Sequence, residues 1–318
     1  MVTGGAGYVG SALVPRLLAT GRQVRVLDWL RRSGESMLPV WGEPGFQLLR
    51  GDVTSPEDRE RALEGVDAVV HLAAIVGDPA CKLEPELARA VNLGATCALV
   101  DAARARGVRD FIFVSTCSNY GISDPGTLAS EASPLNPVSL YAETKVEAER
   151  YLLHFADEAF FPTGLRLATV YGVAPRMRFD LTVNEFARDA ALGRKLEVFA
   201  ERLWRPYVHV QDVAAAIALV LDAPPQLRSG RVFNVGLTSE NYQKKQLCDL
   251  LRERIPELQV AFLDTANDPR SYRVSFDRIG AELGFQPRYR VPDGLDEIIH
   301  LVRAGVIADP DAARWKNS

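Results

Sequence analysis

Cysteine and histidine are scarce in this chain, at four residues each. Cys81, Cys97, Cys117 and Cys248 form no CxxC pair and no spacing that would enclose a metal ion. Neither a zinc site nor a disulfide framework is therefore expected, and the usage fits a reducing compartment. Basic charge is not in excess: 37 Lys and Arg against 41 Asp and Glu leave a net charge of −4. No basic field invites nucleic acid, so an anionic ligand must be met by local arginines. Long apolar runs are missing as well. The stretch 213–221 falls well short of the roughly 20 residues of a membrane span, and the opening MVTGGAGYVG lacks a basic segment followed by an apolar one. These absences predict a soluble, cytoplasmic protein with no metal, no nucleic-acid partner and no membrane association. No internal repeat or low-complexity segment occurs.

What is present is ample apolar material, 47% of 318 residues, enough for about two domains at roughly 150 residues each. Nearly continuous Val, Ile, Leu and Phe runs at 24–28, 46–50, 68–72, 111–116 and 164–167 alternate with helical patterns at 9–20, 56–64, 83–106 and 139–161. Apolar strands separated by helices predict an α/β, Rossmann-type doubly wound parallel sheet covered on both faces. The first strand has only Met1, Val2 and Thr3 before a glycine-rich turn, so residues of that strand are expected to be missing from this numbering or its start assigned late. After residue 172 the rhythm changes. Helices are expected at 181–192, from 211, at 243–254 and at 294–304, with short strands near Leu196 and Tyr207 and a return to the sheet at 231–235. The expected organisation is a nucleotide-binding unit of 1–172 with about 203–236, and a smaller interleaved unit of 173–202 with 237–318.

The turn Thr3-Gly4-Gly5-Ala6-Gly7-Tyr8-Val9-Gly10 reads as GxGxxG or as GxxGxxG on Gly4, Gly7 and Gly10. Glycines allow a tight turn and close approach to a pyrophosphate, whose charge is met by the N-terminus of the next helix. The following strand ends in Asp28, eighteen residues beyond Gly10, where a carboxylate accepts hydrogen bonds from ribose hydroxyls. It repels a 2′-phosphate, which favours NAD over NADP, although Arg31 and Arg32 partly offset the repulsion. Asp52-Val53 and His71-Leu72-Ala73-Ala74 fall at carboxyl ends of strands, where such sheets bind ligands; His71 itself reads as a packed strand-end residue.

Tyr141 and Lys145 stand four apart in a stretch that reads as turn, cap and helix start, so both side chains share one helical face. An adjacent ammonium stabilises a phenolate, making the pair a proton-transfer device. Together with the glycine turn, these residues resemble the extended short-chain dehydrogenase/reductase family, in particular its NAD-dependent nucleotide-sugar epimerases and dehydratases. The likeness runs through TGGAGYVG (3–10), GDV (51–53), HLAA (71–74), Asn92, STCSNYG (115–121), YAETK (141–145), LRLATVYG (165–172) and RPYVHVQDV (205–213).

The resemblance implies Thr116 bonding the sugar hydroxyl or keto oxygen, Tyr141 as acid/base, and Lys145 holding the nicotinamide ribose while lowering the tyrosine pKa. It implies cofactor contacts from Gly4, Gly7, Tyr8, Val9, Gly10, Asp28, Asp52, Val53, Leu72, Ala73, Ala74, Asn92 and Ser115, and from Ala168, Thr169 and Val170 beside the nicotinamide. Cys117, Ser118 and Asn119 are expected around the sugar, and Asn184, Arg205 and Arg270 around a nucleotide diphosphate. Arg176 and Arg178 suit a diphosphate or a solvated loop equally. A homodimer through a four-helix bundle built on 83–106 and 139–161 is a further implication. Tyr120 and Tyr171 read equally as pocket walls or core, and His209 as a packed strand residue.

Family 4,6-dehydratases usually carry Asp-Glu directly after the threonine, and decarboxylases a glutamate at the second position; here those positions are Cys117 and Ser118. Some family epimerases use a cysteine base near this loop, at the place of Ser118. Cys117 is therefore expected to line the pocket. The first expectation is a 4-epimerase working through a transient 4-keto sugar. A reductase or dehydrogenase of a nucleotide-linked keto- or deoxysugar, a 4,6-dehydratase, and a non-catalytic NAD-sensing protein remain as alternatives.

Overall fold

Strands without a polar face must be covered on both sides, and in the computed structural model they are. The structure describes residues 1–123, 126–263 and 270–317. In chain order the strands are β1 (Val2–Thr3), β2 (Val24–Asp28), β3 (Phe46–Arg50), β4 (Ala68–His71), β5 (Asp110–Thr116), β6 (Phe161–Leu167), β7 (Thr169–Tyr171), β8 (Leu196–Phe199), β9 (Trp204–His209), β10 (Arg231–Val235), β11 (Asn241–Gln243) and β12 (Val260–Leu263). Seven of them form a parallel sheet in the order β10-β6-β5-β4-β1-β2-β3, the doubly wound arrangement that the sequence predicts. β1 sits where the order reverses, with Val2 opposite Val26 on one side and Val70 on the other. The crevice at its carboxyl end is where such sheets take ligands.

One face is covered by α1 (Tyr8–Leu18) and the helix Val210–Asp222, which bury Leu13, Val14, Ile217 and Val220. The other is covered by Pro56–Leu63, Thr96–Ala105 and Leu140–His154 through Leu63, Leu99 and Leu152. A third core joins Phe179, Val183, Phe186, Leu247, Leu251, Leu295 and Ile298 beneath two small sheets, β11-β9-β7 and β12-β8. Among the described residues no helix is long and apolar enough to cross a membrane.

Two expectations need correction. The pattern at 83–106 is not one helix: Glu84, held at φ −131° ahead of Pro85, interrupts it, since the residue before proline is steered from helical dihedrals. Beyond Pro85–Arg89 the chain passes through a π-helical turn, Ala90–Ala95, before Thr96–Ala105. The pattern at 139–161 ends at His154, because Asp157 Oδ1 accepts from the Ala159 and Phe160 backbones at 2.8 Å each and turns the chain into β6. The short strand expected near Tyr207 is β9, which lies outside the large sheet. It pairs with β7 and β11, and Tyr207 packs into the third core.

A buried ion pair ties the sheet to the helix that carries the tyrosine and lysine. Arg166 on β6 donates to Glu149 through Nε at 3.1 Å and Nη2 at 2.5 Å, and through Nη1 to the Tyr120 hydroxyl at 3.0 Å. Tyr120 in turn donates to Asn234 Oδ1 at 2.7 Å, so this tyrosine is core. Glu149→Ala would strand a guanidinium that is almost fully buried, and denaturant unfolding is expected to show a loss of about 3–5 kcal/mol.

Candidate active site

The glycine turn closes over the end of β1. Gly4 has φ +69°, and a Cβ there would lie 2.7 Å from the Ala73 backbone nitrogen; a Cβ on Gly10 would collide with the Gly5 backbone. Gly7 caps α1 without a side-chain hydrogen bond, and no acidic residue occupies the first turn, which leaves N–H groups and the positive end of the helix open to an anion. Asp28 is fixed beside this turn, Oδ2 accepting from Ala6 N at 2.9 Å and Oδ1 from Leu30 N at 2.8 Å. Burial raises its carboxyl pKa while those two N–H groups pull it down. A cradle that no side chain could share, an uncapped helix start and a carboxylate at the neighbouring strand end fit a dinucleotide. Gly10→Ala is expected to cost about 1–3 kcal/mol of stability through overpacking and to abolish the rise in melting temperature on adding NAD, as calorimetry would show.

Around this cradle, Leu72, Ala73 and Ala74 are half-buried after β4, with Leu72 N donating to Thr3 O at 3.1 Å. Asp52 Oδ1 accepts from Thr54 N at 2.8 Å, beside the buried Val53. Val9 and Val170 are half-buried, and Ala168 is buried. His71 is a packed strand-end residue, held between the Thr3 and Thr96 hydroxyls at 2.6 and 2.9 Å, and burial pulls its pKa down to about 3.

Tyr141 and Lys145 lie in the first turns of Leu140–His154, capped by Ser139 Oγ, which accepts from Ala142 N. Lys145 is buried, its Nζ 4.4 Å from the centre of the Phe113 ring. Burial draws its pKa down to about 7, with Glu149 and Cys81 pulling the other way. Burial pushes the Tyr141 phenol up; the charges of Cys81 and Asp78 add to this, and Arg178 opposes it. Thr116 ends β5 and accepts from Ser118 N at 3.1 Å. Ser118 Oγ lies 3.2 Å from the Tyr272 hydroxyl.

Several residues expected at the ligand are committed to the protein itself. Asn92, inside the π-helical turn, pairs both ways with the Ile75 backbone at 2.8 and 3.0 Å and so fixes the loop after β4. Asn184 is fully buried: Oδ1 accepts from Gly172 N at 2.9 Å, and Nδ2 donates to Tyr8 Oη at 3.1 Å and Arg178 O at 2.9 Å. Tyr8 donates to Gly172 O at 2.6 Å, so this network clamps the 172–178 loop onto α1. Asn119 is wholly buried and donates to Ser115 Oγ at 3.1 Å. Cys117, expected to line the pocket, has no exposed surface and donates to Arg166 O at 3.3 Å; it opens the short 3-10 turn Cys117–Tyr120 that follows β5, and burial pushes its thiol pKa up. Tyr171 is likewise core, set edge-on to His209, whose Nε2 lies 2.9 Å from Glu297 Oε2.

The arginines are held by protein partners. Arg176 and Arg178 are buried, not solvated; Arg178 donates twice to Asp180, at 3.0 and 2.6 Å. Arg205 donates to Trp204 O at 2.8 Å and to Arg270 O, and its guanidinium lies 5.2 Å from the Tyr272 ring centre. Arg270 pairs with Asp78 Oδ2 at 2.7 Å. Sequence reasoning gave no part to Asp78 or Tyr272, which the structure sets against Arg270 and Ser118. For Asp78 a signal was available: a carboxylate in the loop after β4, at the ligand-binding edge of the sheet.

A doubly wound sheet with a glycine cradle, a carboxylate at the neighbouring strand end and a Tyr–Lys pair defines a dinucleotide-dependent enzyme. The chain belongs to the NAD-dependent epimerase/dehydratase family, whose model matches residues 1–236. It is 32% identical over 306 residues to a dTDP-glucose 4,6-dehydratase of Streptomyces griseus, covering 93% of this chain and 91% of that one. It is 29% identical to a UDP-glucose 4-epimerase of Corynebacterium glutamicum, with 91% of each covered. Among solved structures, the Thermus thermophilus UDP-glucose 4-epimerase in complex with NAD superposes with a TM-score of 0.83 at 29% identity, covering 96% of this chain and 99% of that one. Relatives with different reactions stand at nearly equal identity, so the choice among reactions rests on the residues of the site.

Proposed function

We propose that the chain is a nucleotide-sugar epimerase that inverts C4 of the sugar through a transient 4-keto intermediate. The observation that carries this reading is the pair of positions after Thr116. Neither Cys117 nor Ser118 supplies the carboxylates with which family dehydratases eliminate water; Cys117 is sealed in the core, and Ser118 faces the Tyr272 hydroxyl. What the site retains is hydroxyl oxidation and ketone reduction at one carbon.

In this reading Thr116 orients the C4 hydroxyl and Tyr141 receives its proton as the C–H bond breaks. The glycine cradle and Asp28 would hold NAD, which would supply the hydride acceptor and donor for the sugar carbon. Lys145 holds the ribose and, once charged, stabilises the phenolate. Tyr141 then gives the proton back to the O4 of the inverted sugar, so the reaction balances with no net redox change. Arg205 and Arg270 meet the diphosphate, for which the forked guanidinium is suited. Asn92 and Asn184 hold the loops that frame the ligands. The homodimer through 83–106 and 139–161 belongs to the same proposal and is tested by sedimentation.

The test is product analysis with uridine- and thymidine-diphosphate hexoses. The reading expects the C4 epimer with a flat nicotinamide absorbance. Product accompanied by stoichiometric NADH would contradict it in favour of a dehydrogenase, and a 4-keto-6-deoxy product in favour of a dehydratase.

A further inference from the structure

Asp78 opens the short helix that follows β4, immediately after Gly77 at φ +94°. One carboxylate oxygen, Oδ2, is paired with Arg270 at 2.7 Å. The other, Oδ1, is buried and has no hydrogen-bond donor among the described residues. A buried acceptor without a partner costs about 1–3 kcal/mol, so in a native site it marks a place where a donor arrives. The setting says which donor. The helix that Asp78 opens packs against the helix that carries Tyr141 and Lys145, and the Asp78 charge acts on the phenol. Arg270, the partner of Asp78, is tied through its carbonyl to Arg205, and Arg205 lies over Tyr272, which reaches Ser118 beside Thr116. The unpaired oxygen therefore belongs to the space between the proton-transfer pair and the arginines assigned to the diphosphate, which is where the sugar must lie.

We infer that Asp78 selects the sugar: its unpaired oxygen accepts a hydroxyl of a neutral hexose and excludes nucleotide sugars that carry a carboxylate on the ring. This rests on reading the site as one for nucleotide sugars. A ring hydroxyl can donate to Oδ1, whereas a uronate carboxylate is acceptor-only and like-charged. Arg178, the cation that acts on Tyr141, is already matched by both oxygens of Asp180, so its charge is not left over for a uronate.

The experiment compares UDP-glucose with UDP-glucuronic acid, and their thymidine-diphosphate counterparts, on the NAD-loaded wild-type enzyme and on Asp78→Asn. Binding is read by calorimetry and turnover by product analysis. The asparagine keeps an oxygen for Arg270 and offers an N–H where Oδ1 stood. Wild type is expected to favour the neutral sugars by about 10- to 100-fold in both Kd and kcat/KM. Asp78→Asn should narrow the ratio to within a few-fold, chiefly through tighter uronate binding, with NAD content unchanged. Equal use of both sugars by wild type would overturn the inference while leaving the nucleotide-sugar reading intact, and so would an unchanged ratio in the variant. Should Asp78→Asn fail to fold, Asp78→Ser, which also removes the charge, carries the same comparison, with a narrowed ratio expected and an unchanged ratio overturning the inference. If no nucleotide sugar binds, the underlying reading falls, and this inference with it.

Discussion

Tyr141→Phe is expected to lower kcat by about 100- to 10,000-fold, the range associated with a positioned general acid/base, while melting temperature and NAD content stay at wild-type values. The change removes one oxygen and keeps the ring against its neighbours. Without the phenol no group on this helix face can take the C4 hydroxyl proton. The phenol is a poor proton acceptor in the free protein, because burial and the nearby negative charge of Asp78 hold its pKa above the ordinary tyrosine value. Only added positive charge can bring it down, from a charged Lys145 and from the oxidised nicotinamide. Turnover should therefore depend on Tyr141 completely and on pH through Lys145. A variant that retained wild-type kcat would assign the proton transfer to another group.

Lys145→Met should separate activity from stability. Burial holds the pKa of the ammonium down to about 7, against an ordinary value of 10.5. Between these values the unfolded chain binds a proton that the folded chain has released, so stability rises with pH across that window. The cost of burying the charge is thus full below about pH 7 and vanishes toward pH 10.5. Methionine fills similar volume with no charge to bury. The variant is expected to melt several degrees higher than wild type at about pH 6, with the gap closing steadily on the alkaline side. Turnover should fall about 100-fold or more at every pH. Parallel melting curves across this range would show that Lys145 is solvated or paired in the free protein. A cost of this kind at a functional lysine is the familiar exchange of stability for chemistry.

Much of this was readable from the chain because the physics is local. β2, β4 and β5 announce themselves as apolar runs, since inner parallel strands are buried on both faces. Tyr141 and Lys145 are legible as a pair because helical spacing alone puts them on one face. The glycine cradle is legible because Gly4 and Gly10 stand where a Cβ would meet backbone. What the sequence hid depends on orientation or on distant contacts. Cys117 follows Thr116 directly, yet the chain leaves β5 between them: the Thr116 hydroxyl caps the 3-10 turn that Cys117 opens, and Cys117 is sealed in the core. The resemblance implies Asn184 near the diphosphate; its amide bonds Gly172, Tyr8 and Arg178, partners scattered along the sequence. Asp78 gains its meaning from Arg270, far along the chain. The π-helical turn at Ala90–Ala95 has no periodicity of its own to betray it; it sets Asn92 against the loop after β4, consistent with the occurrence of such turns at functional sites.

The fate of the C4 hydrogen tests the account most directly. A nucleotide hexose carrying deuterium at C4 is incubated with the NAD-loaded enzyme, and the label is located by mass spectrometry and NMR. Epimerisation at C4 predicts product with the label retained at C4 on the opposite face and none in the free cofactor. Label appearing at C6, or leaving as deuterated NADH, would contradict the account and assign the site to elimination or to net oxidation instead.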